Sequence, residues 1–220
     1  MARRLLLTAI VATALAAAGC GSNKKSATST QQVSAPTIPL AKQVLARAEL
    51  PTNVRSAGVR GSRSSFILVR GLDPLFQPKI LARRFVAAGF KNAFVEGIQG
   101  RGKLAKTTGG VSAVVKLGSA AGAAAQVTFL HGRSLSPCPD VKICDVFWKP
   151  FSVPGIPGAQ GTVRFRKVKT ANGPAFQQFY IFFSVGPNAY GENVGGPYGT
   201  VSEAQFIRGT TALYDRLRAS

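Results

Sequence analysis

The sequence has few of the side chains on which most enzymatic chemistry depends. It contains one histidine, three cysteines and eight acidic residues among 220. A zinc site needs several closely spaced thiolate or imidazole ligands, and a serine triad would have to use His131 without a Gly-x-Ser-x-Gly elbow. Glycoside hydrolysis needs two carboxylates across a cleft, and Glu96 and Glu192 would pair only if the fold brought them together. We therefore predict no catalytic residue, no metal and no cofactor, and keep a cell-wall hydrolase as an alternative.

The N-terminus combines a basic start, an apolar run and a cysteine. Two arginines precede residues 5–18, an apolar stretch too short to span a bilayer comfortably. The following Leu-Ala-Ala-Ala-Gly-Cys, residues 15–20, resembles a bacterial lipobox. The resemblance implies cleavage after Gly19, lipidation of Cys20 and a lipoprotein anchored to the extracytoplasmic face of the cell membrane. The alternative is an ordinary signal peptide with an incidental cysteine.

Composition divides the chain into three parts. Residues 1–19 are the predicted signal peptide. Residues 20–39 are rich in Ser, Thr, Gln and Lys without an apolar period, so they predict a lipidated flexible tether. Residues 40–220 are long enough for a single well-buried globular domain.

Once Cys20 is assigned to the anchor, the two remaining cysteines form an even pair. Cys138 and Cys144 lie six positions apart in CPDVKIC. In an exported protein such a pair is predicted to form a disulfide. The alternative is a metal site that would also use His131, Asp140 and Asp145.

The balance of charge is strongly basic. The chain has 28 Lys and Arg against 8 Asp and Glu, a formal net charge of +20. Such a field attracts polyanions, and outside the cytoplasm these are anionic lipids, phosphate-bearing wall polymers, acidic glycans or extracellular DNA. No nucleic-acid-binding motif accompanies the charge, so specific nucleic-acid recognition is not predicted. The candidate anion-binding residues lie along one predicted strand, whose alternative role is a solvated strand face: Arg164, Arg166, Lys167 and Lys169.

Hydrophobic patterns predict an α+β domain with an antiparallel sheet covered by N-terminal, middle and C-terminal helices. Predicted helices cover residues 39–49, 74–88, 119–131 and the segment after 200. Predicted strands cover residues 66–70, 92–98, 111–117, 161–168, 175–185 and 189–194. Asp73, Ser119 and Thr200 are the expected N-terminal caps, the last in a capping box with Glu203.

The order of elements in the last hundred residues carries a second resemblance. A helix of small residues is followed by VPGIPGA, a basic strand, the aromatic strand FQQFYIFFSVG and a final helix. This order resembles extracytoplasmic lipoprotein domains with a Mog1/PsbP-like fold in high-GC Gram-positive bacteria. The resemblance implies an α+β fold with a role in binding or assembly.

The aromatic run FQQFYIFF, residues 176–183, is the most distinctive apolar feature. In a strand, Phe179, Ile181 and Phe183 point to one face of the sheet and the even-numbered residues point to the other. One interpretation is a central strand buried on both faces. The other is an apolar pocket for a lipid or a small ligand. The pocket would be lined by Phe176, Tyr180, Phe182 and Tyr190.

Together these features predict a membrane-anchored lipoprotein of the cell envelope. Its domain is predicted to be non-enzymatic and to bind a partner protein or an anionic envelope component, such as an anionic lipid or a wall polymer. A carrier of lipid or of a small apolar ligand is the first alternative, and the hydrolase is the second.

Overall fold

Seven strands form one antiparallel sheet in the computed structural model, which describes residues 34–61, 72–75, 77–137, 145–167 and 176–220. The order across the sheet is β1-β2-β3-β7-β6-β5-β4, and every neighbouring pair is antiparallel. The strands are β1 (Val54–Gly61), β2 (Asn92–Gly100), β3 (Gly109–Lys116), β4 (Asp145–Phe151), β5 (Gln160–Lys167), β6 (Phe176–Val185) and β7 (Asn188–Pro197). The predicted fold class is confirmed.

Helices cover both faces of the sheet. They are α1 (Pro78–Ala87), α2 (Ala120–Ser134) and α3 (Glu203–Arg218), with short 3-10 helices at Leu40–Lys42 and Gly102–Lys106. One apolar core joins α1 and α2 to the sheet through residues such as Phe85, Val127 and Tyr180. The other core joins α3 and the segment 38–50 to the opposite face through residues such as Leu45, Phe183 and Phe206. The central strands are therefore buried on both sides.

The predicted caps are confirmed for α2 and corrected for α3. The Ser119 hydroxyl accepts a 3.0 Å hydrogen bond from the amide of Gly122, as expected for an N-cap. In α3 the cap is Ser202, whose hydroxyl accepts from the amide of Gln205. The Thr200 hydroxyl instead donates to the carbonyl of the preceding turn, so the predicted cap at Thr200 is wrong by two residues.

The predicted helix over residues 39–49 is wrong beyond one 3-10 turn. Val44 and Leu45 point into the core as expected. However, the amide of Leu45 donates to the Ser112 hydroxyl (2.8 Å) and the amide of Ala46 donates to a carboxylate oxygen of Glu49 (2.6 Å). These side-chain acceptors replace the carbonyls that an α-helix would supply, so the segment is held by Ser112 of the sheet and by a local turn at Glu49 in place of a helical ladder.

The second predicted helix begins later than the sequence suggested. Asp73 does accept backbone hydrogen bonds, from the amides of Leu75 (3.0 Å) and Gln77 (2.7 Å), but these close a turn and α1 starts only at Pro78. The same carboxylate, which is buried, forms an ion pair with Arg133 on α2 at 2.7 Å. Asp73 therefore joins the turn before α1 to the end of α2.

Two strands have no counterpart in the sequence prediction. β1 contains glycine and arginine without clear alternation, and β4 carries a proline and follows the two cysteines, so neither segment has the pattern that predicts a strand. Both are edge strands, where a proline is tolerated because one side of the strand needs no ladder partner. Several predicted features lie outside the described residues: Cys20, the Cys138–Cys144 pair, Lys169, the strand at 66–70 and the turn at 171–174.

Candidate functional site

The aromatic strand forms the centre of the domain. β6 pairs with β5 and β7, and its side chains alternate between the two cores as predicted. Tyr180 and Phe182 are buried beneath α1 and α2, whereas Phe179, Ile181 and Phe183 are buried beneath α3. Burial raises the pKa of the Tyr180 hydroxyl well above its ordinary value. The arrangement matches the interpretation of a central strand buried on both faces.

The four residues proposed for an apolar pocket do not converge. Tyr190 lies on the α3 face, where its ring stacks on Phe183 with centroids 4.6 Å apart. Tyr180 and Phe182 lie on the opposite face, and Phe176, half-buried at the start of β6, has the guanidinium of Arg166 5.9 Å from its ring centre. The sheet therefore separates Tyr190 from the other three.

The candidate anion-binding arginines have different surroundings. Arg164 is 3% exposed, and its Nη1 donates to the carbonyls of Ser134 (2.7 Å) and Ser136 (3.0 Å), which closes the C-terminal end of α2. Arg166 shares its face of β5 and is half-buried, and Lys167 is the last residue of that strand. Arg164 thus has a structural role at the helix end, where carbonyl groups lack helical partners.

A buried polar network holds the first described segment against the sheet. The Tyr190 hydroxyl donates to Gln43 Oε1 at 2.6 Å, and Asn188 Nδ2 donates to the same oxygen at 2.9 Å. Gln43 Nε2 in turn donates to the carbonyl of Ile38 at 2.6 Å. Asn188 is 2% exposed, yet its Oδ1 has no hydrogen-bond partner among the described residues. The network therefore retains one unused acceptor.

A second set of polar contacts joins the same segment to α3. Arg216 forms an ion pair with Glu49 at 2.8 Å and donates to the carbonyls of Val44 (2.9 Å) and Lys42. The hydrogen bond to Glu49 raises the pKa of Arg216. Gly209 lies seven residues before Arg216 on the same helix. Its lack of a side chain lets the carbonyl of Glu49 approach so closely that any Cβ would overlap it. The segment is thus fixed by side-chain and backbone contacts to α3.

Glu192 is a fully buried carboxyl in the middle of the sheet. The strand register places Glu96, Ser112 and Glu192 side by side on β2, β3 and β7, all on the α3 face. Burial raises the pKa of Glu192 to about 8, and the charges of Glu49 and Glu96 act in the same direction, whereas Ser112 and Arg216 oppose them. Neither carboxyl oxygen meets hydrogen-bonding geometry with a described residue. Glu96 and Glu192 thus share a face, but a fully buried Glu192 gives them no open cleft.

A cavity of about 630 Å³ opens where the described chain begins, at the end of the sheet that holds the polar network. Residues 35–40 form one wall, and the first residues of β2 and β7 and the last residue of β3 form the other. Gln43 and Asn188 contribute to the lining, and the exposed Lys91 and Lys116 supply its charge. The amide of Lys91 donates to the carbonyl of Lys116 at 2.9 Å, so the two residues are direct neighbours. No acidic residue belongs to the described lining.

This cavity was not predicted from the sequence. Its lysines are single positions at strand ends, and Asn188 is the first residue of β7, so none of them forms a motif. Gln43 belonged to a helix that did not form. The one available signal was the excess of basic residues, which predicted an anionic ligand without locating it.

The remaining candidates for chemistry do not assemble into a cluster. His131 lies on α2, and burial lowers its pKa while a hydrogen bond with the backbone of Gly161 opposes that shift. Within the described ranges, no three His, Cys, Asp or Glu side chains are placed to hold a metal ion. Among the helices that the structure describes, none has the length and apolar character needed to cross a membrane.

Comparison with known proteins gives a likeness of fold only. No protein-family model matches the chain, and neither does any curated protein sequence. Among solved structures, the fold is similar to the crystal structure of the extracellular domain of PknH from Mycobacterium tuberculosis. The TM-score is 0.57 at 12% sequence identity, over 84% of this chain and 98% of that one.

Proposed function

We propose that this chain is a lipoprotein anchored through Cys20 to the extracytoplasmic face of the cell membrane, with a non-enzymatic domain that binds an anionic component of the envelope. The observation that carries the proposal is the cavity beside residues 35–40, with Lys91 and Lys116 in its lining and no acid among its described residues. An anion in that cavity meets only favourable or neutral side chains. The extracellular location of the PknH domain supports the side of the membrane proposed here.

The cavity also lies where the chain from the proposed anchor enters the domain. Fourteen residues, 21–34, lie between Cys20 and Ala35 in the wall of the cavity. A protein anchored at Cys20 would meet anionic head groups and wall polymers, the ligands proposed for this cavity, at the membrane surface.

The arrangement of titratable groups supports binding in preference to catalysis. A hydrolytic pair needs an acid and a base on either side of a substrate, and the carboxyl of Glu192 is enclosed by protein. The lone histidine, His131, lies on α2, on the face of the sheet opposite to the polar network. The aromatic residues of β6 fill the two cores, so the same domain is better suited to a surface ligand than to an enclosed lipid.

The anchor is tested by replacing Cys20. We expect Cys20→Ser to release the protein from the membrane fraction or to leave it unprocessed, because serine has no thiol to receive the diacylglycerol group. Fractionation and intact-mass measurement provide the readout. A Cys20→Ser protein that matured normally and stayed with the membrane would contradict the lipoprotein assignment.

The binding role is tested with polyphosphate as a generic anion. We expect the affinity of the detergent-solubilised full-length protein to fall on raising salt. We also expect it to weaken by about tenfold in the Lys91→Gln/Lys116→Gln double variant, the size of effect of losing roughly 1.4 kcal/mol of charge interaction. The matched control is Lys103→Gln/Lys106→Gln, because both lysines are exposed on the 3-10 helix Gly102–Lys106, at the other end of β2. Equal losses in the two double variants would refute a role for the cavity.

A further inference from the structure

The unused acceptor in the cavity narrows the chemistry of its ligand. Asn188 Oδ1 is buried without a partner while Nδ2 is committed to Gln43 Oε1. A buried acceptor without a donor is costly, and such groups in native structures usually mark a water, an ion or a ligand. Asn188 belongs to the lining of the cavity while Oδ1 itself is covered by protein, so a donor carried by the ligand can satisfy this oxygen once the groups over it shift.

The positive charges of Lys91 and Lys116 restrict the kind of donor that the ligand can carry. A cationic donor such as an ammonium group would be repelled by Lys91 and Lys116, whereas a hydroxyl group is neutral and donates equally well. The lysines themselves favour an anion, and lysine binds phosphate as a point charge. Two lysines at the ends of neighbouring strands can contact separate oxygens of one tetrahedral phosphate, whose oxygens are spread more widely than the two of a planar carboxylate.

We propose that the cavity binds a phosphorylated polyol, with the phosphate at Lys91 and Lys116 and a ligand hydroxyl donating to Asn188 Oδ1. The volume of about 630 Å³ lies within the range of about 300–1,000 Å³ that is common for small-molecule sites. This inference rests on the proposed function and adds the chemical class of the ligand. The same chemistry occurs in the head group of an anionic lipid and in a phosphate-bearing wall polymer.

Residues 35–40 are part of the site and not only its connection to the anchor. Their position is fixed by Gln43, which contacts both the carbonyl of Ile38 and the side chain of Asn188. Gly186 contributes at the turn between β6 and β7, where its φ of 54° favours glycine and the backbone of Ala35 packs against it. The wall formed by residues 35–40 therefore meets the ligand on the side opposite the sheet.

The test is calorimetric titration of the detergent-solubilised full-length protein with matched small probes. Glycerol 1-phosphate is compared with methyl phosphate, which lacks the hydroxyls, and with glycerate, which replaces phosphate by carboxylate. We expect glycerol 1-phosphate to bind about 3–10-fold more tightly than methyl phosphate, the contribution of one hydrogen bond. Asn188→Ala should remove this preference, so that glycerol 1-phosphate and methyl phosphate bind the variant with affinities within about twofold of each other.

The lysine variants separate this inference from the proposed function. Lys91→Gln/Lys116→Gln should weaken both phosphates by about tenfold, and Lys103→Gln/Lys106→Gln should leave both within about twofold. If methyl phosphate or glycerate binds wild-type protein as tightly as glycerol 1-phosphate while the lysine effect persists, the polyol phosphate assignment is wrong and the anion-binding role stands. If the lysine pairs do not differ, both are wrong. The comparison among probes on wild-type protein decides the first point even if Asn188→Ala fails to fold.

Two longer probes distinguish the sources of the ligand. Dihexanoyl phosphatidylglycerol presents the group as a lipid head group, and poly(glycerol phosphate) presents it as a wall polymer. Tighter binding of either one than of glycerol 1-phosphate, sensitive to Lys91→Gln/Lys116→Gln, supports the proposal and identifies the source. Binding of neither would overturn it, because both carry the phosphodiester and hydroxyls that the cavity is proposed to recognise.

Discussion

The two ends of the sheet are stabilised by different kinds of contact. At the near end, where the described chain begins, the segment 35–49 is held by buried and half-buried polar contacts: Gln43 with Tyr190 and Asn188, and Arg216 with Glu49. At the far end, Phe147 stacks on Phe165 with ring centres 4.5 Å apart, and Tyr198 lies 6.2 Å from Phe165. Phe147 and Tyr198 are 61% and 64% exposed.

The two kinds of contact differ in how much each one contributes to the free energy of unfolding. Polar groups removed from water must find partners, so the near end depends on particular atoms in particular places. Exposed rings keep most of their hydration, so the far end loses little when one ring is removed. We therefore expect substitutions of similar size to have large effects at the near end and small effects at the far end.

The largest expected effect is on the pH dependence of stability through Glu192. Its pKa is about 8 in the fold, raised mainly by burial, against about 4.5 when unfolded. The stability that comes from keeping it protonated is therefore fully present below about pH 4.5 and is lost as pH rises through about 8. The loss is at most about 1.4 kcal/mol per pH unit. Glu192→Gln should remove this decline and raise the free energy of unfolding at pH 8 by roughly 4 kcal/mol.

Chemical denaturation of both proteins between pH 4 and pH 9 measures the effect. The difference between variant and wild type isolates Glu192 from other titrating groups such as His131. Glu96→Gln is the comparison variant: it removes a half-buried carboxyl from the same row and takes away only one of the smaller causes of the raised pKa of Glu192, so most of the decline with pH should remain. A Glu192→Gln protein whose stability fell with pH as steeply as wild type would show that Glu192 is ionised in the fold.

The next effect tests the contact between Glu49 and α3. Gly209→Ala places a methyl group against the carbonyl oxygen of Glu49, so backbone must move. We expect a loss of about 2–3 kcal/mol in the free energy of unfolding, the cost of overpacking a tight contact. Gly132→Ala on α2 is the control, because its Cβ meets nothing within 4 Å. It should stabilise by about 0.5–1 kcal/mol, as alanine does in an open helix position.

Thermal or denaturant unfolding distinguishes the two glycines. If Gly209→Ala were neutral, the segment around Glu49 would be free to shift, and the near end would be less tightly fixed than its contacts indicate. A destabilising Gly132→Ala would instead point to a general cost of alanine in these helices and would weaken the comparison.

The parts that the sequence predicted correctly are those whose information is local. The alternation along β6 follows from the two-residue period of a strand, and the start of α2 follows from Ser119 and the small residues after it. Such patterns need no knowledge of the partner strand. Edge strand β4 lacks the pattern because only part of its surface is buried and because it contains a proline, which is atypical of a strand.

The parts that the sequence missed depend on contacts between distant residues. The segment 39–49 has helical spacing, but Ser112 accepts the amide of Leu45 across 67 positions and Arg216 reaches Glu49 across 167. The cavity combines Lys91 and Lys116 with Asn188 from three strand ends. Neither arrangement leaves a motif in the chain, because the sheet topology and not the spacing brings the groups together.

The smallest expected effect comes from removing one hydroxyl oxygen at each end. Tyr190→Phe takes away the donor to Gln43 Oε1, while the ring stack on Phe183 and the hydrogen bond from Asn188 remain. A buried hydrogen bond contributes about 1 kcal/mol, and we expect a loss of that size. Tyr198→Phe makes the same chemical change on an exposed ring and should shift the free energy of unfolding by less than about 0.5 kcal/mol.

Both substitutions remove a tyrosine hydroxyl oxygen. The difference between their effects on the free energy of unfolding therefore reports the surroundings of that oxygen. Denaturant unfolding at fixed pH resolves a gap of about 0.5 kcal/mol when the dependence on denaturant is unchanged. If the two substitutions lowered the free energy of unfolding equally, the hydrogen bond from Tyr190 to Gln43 would stabilise the fold no more than the contact of the Tyr198 hydroxyl with water does. The segment 35–49 would then be held mainly by Arg216 and by Val44 and Leu45 in the apolar core, and the cavity wall would depend on α3 and not on the polar network.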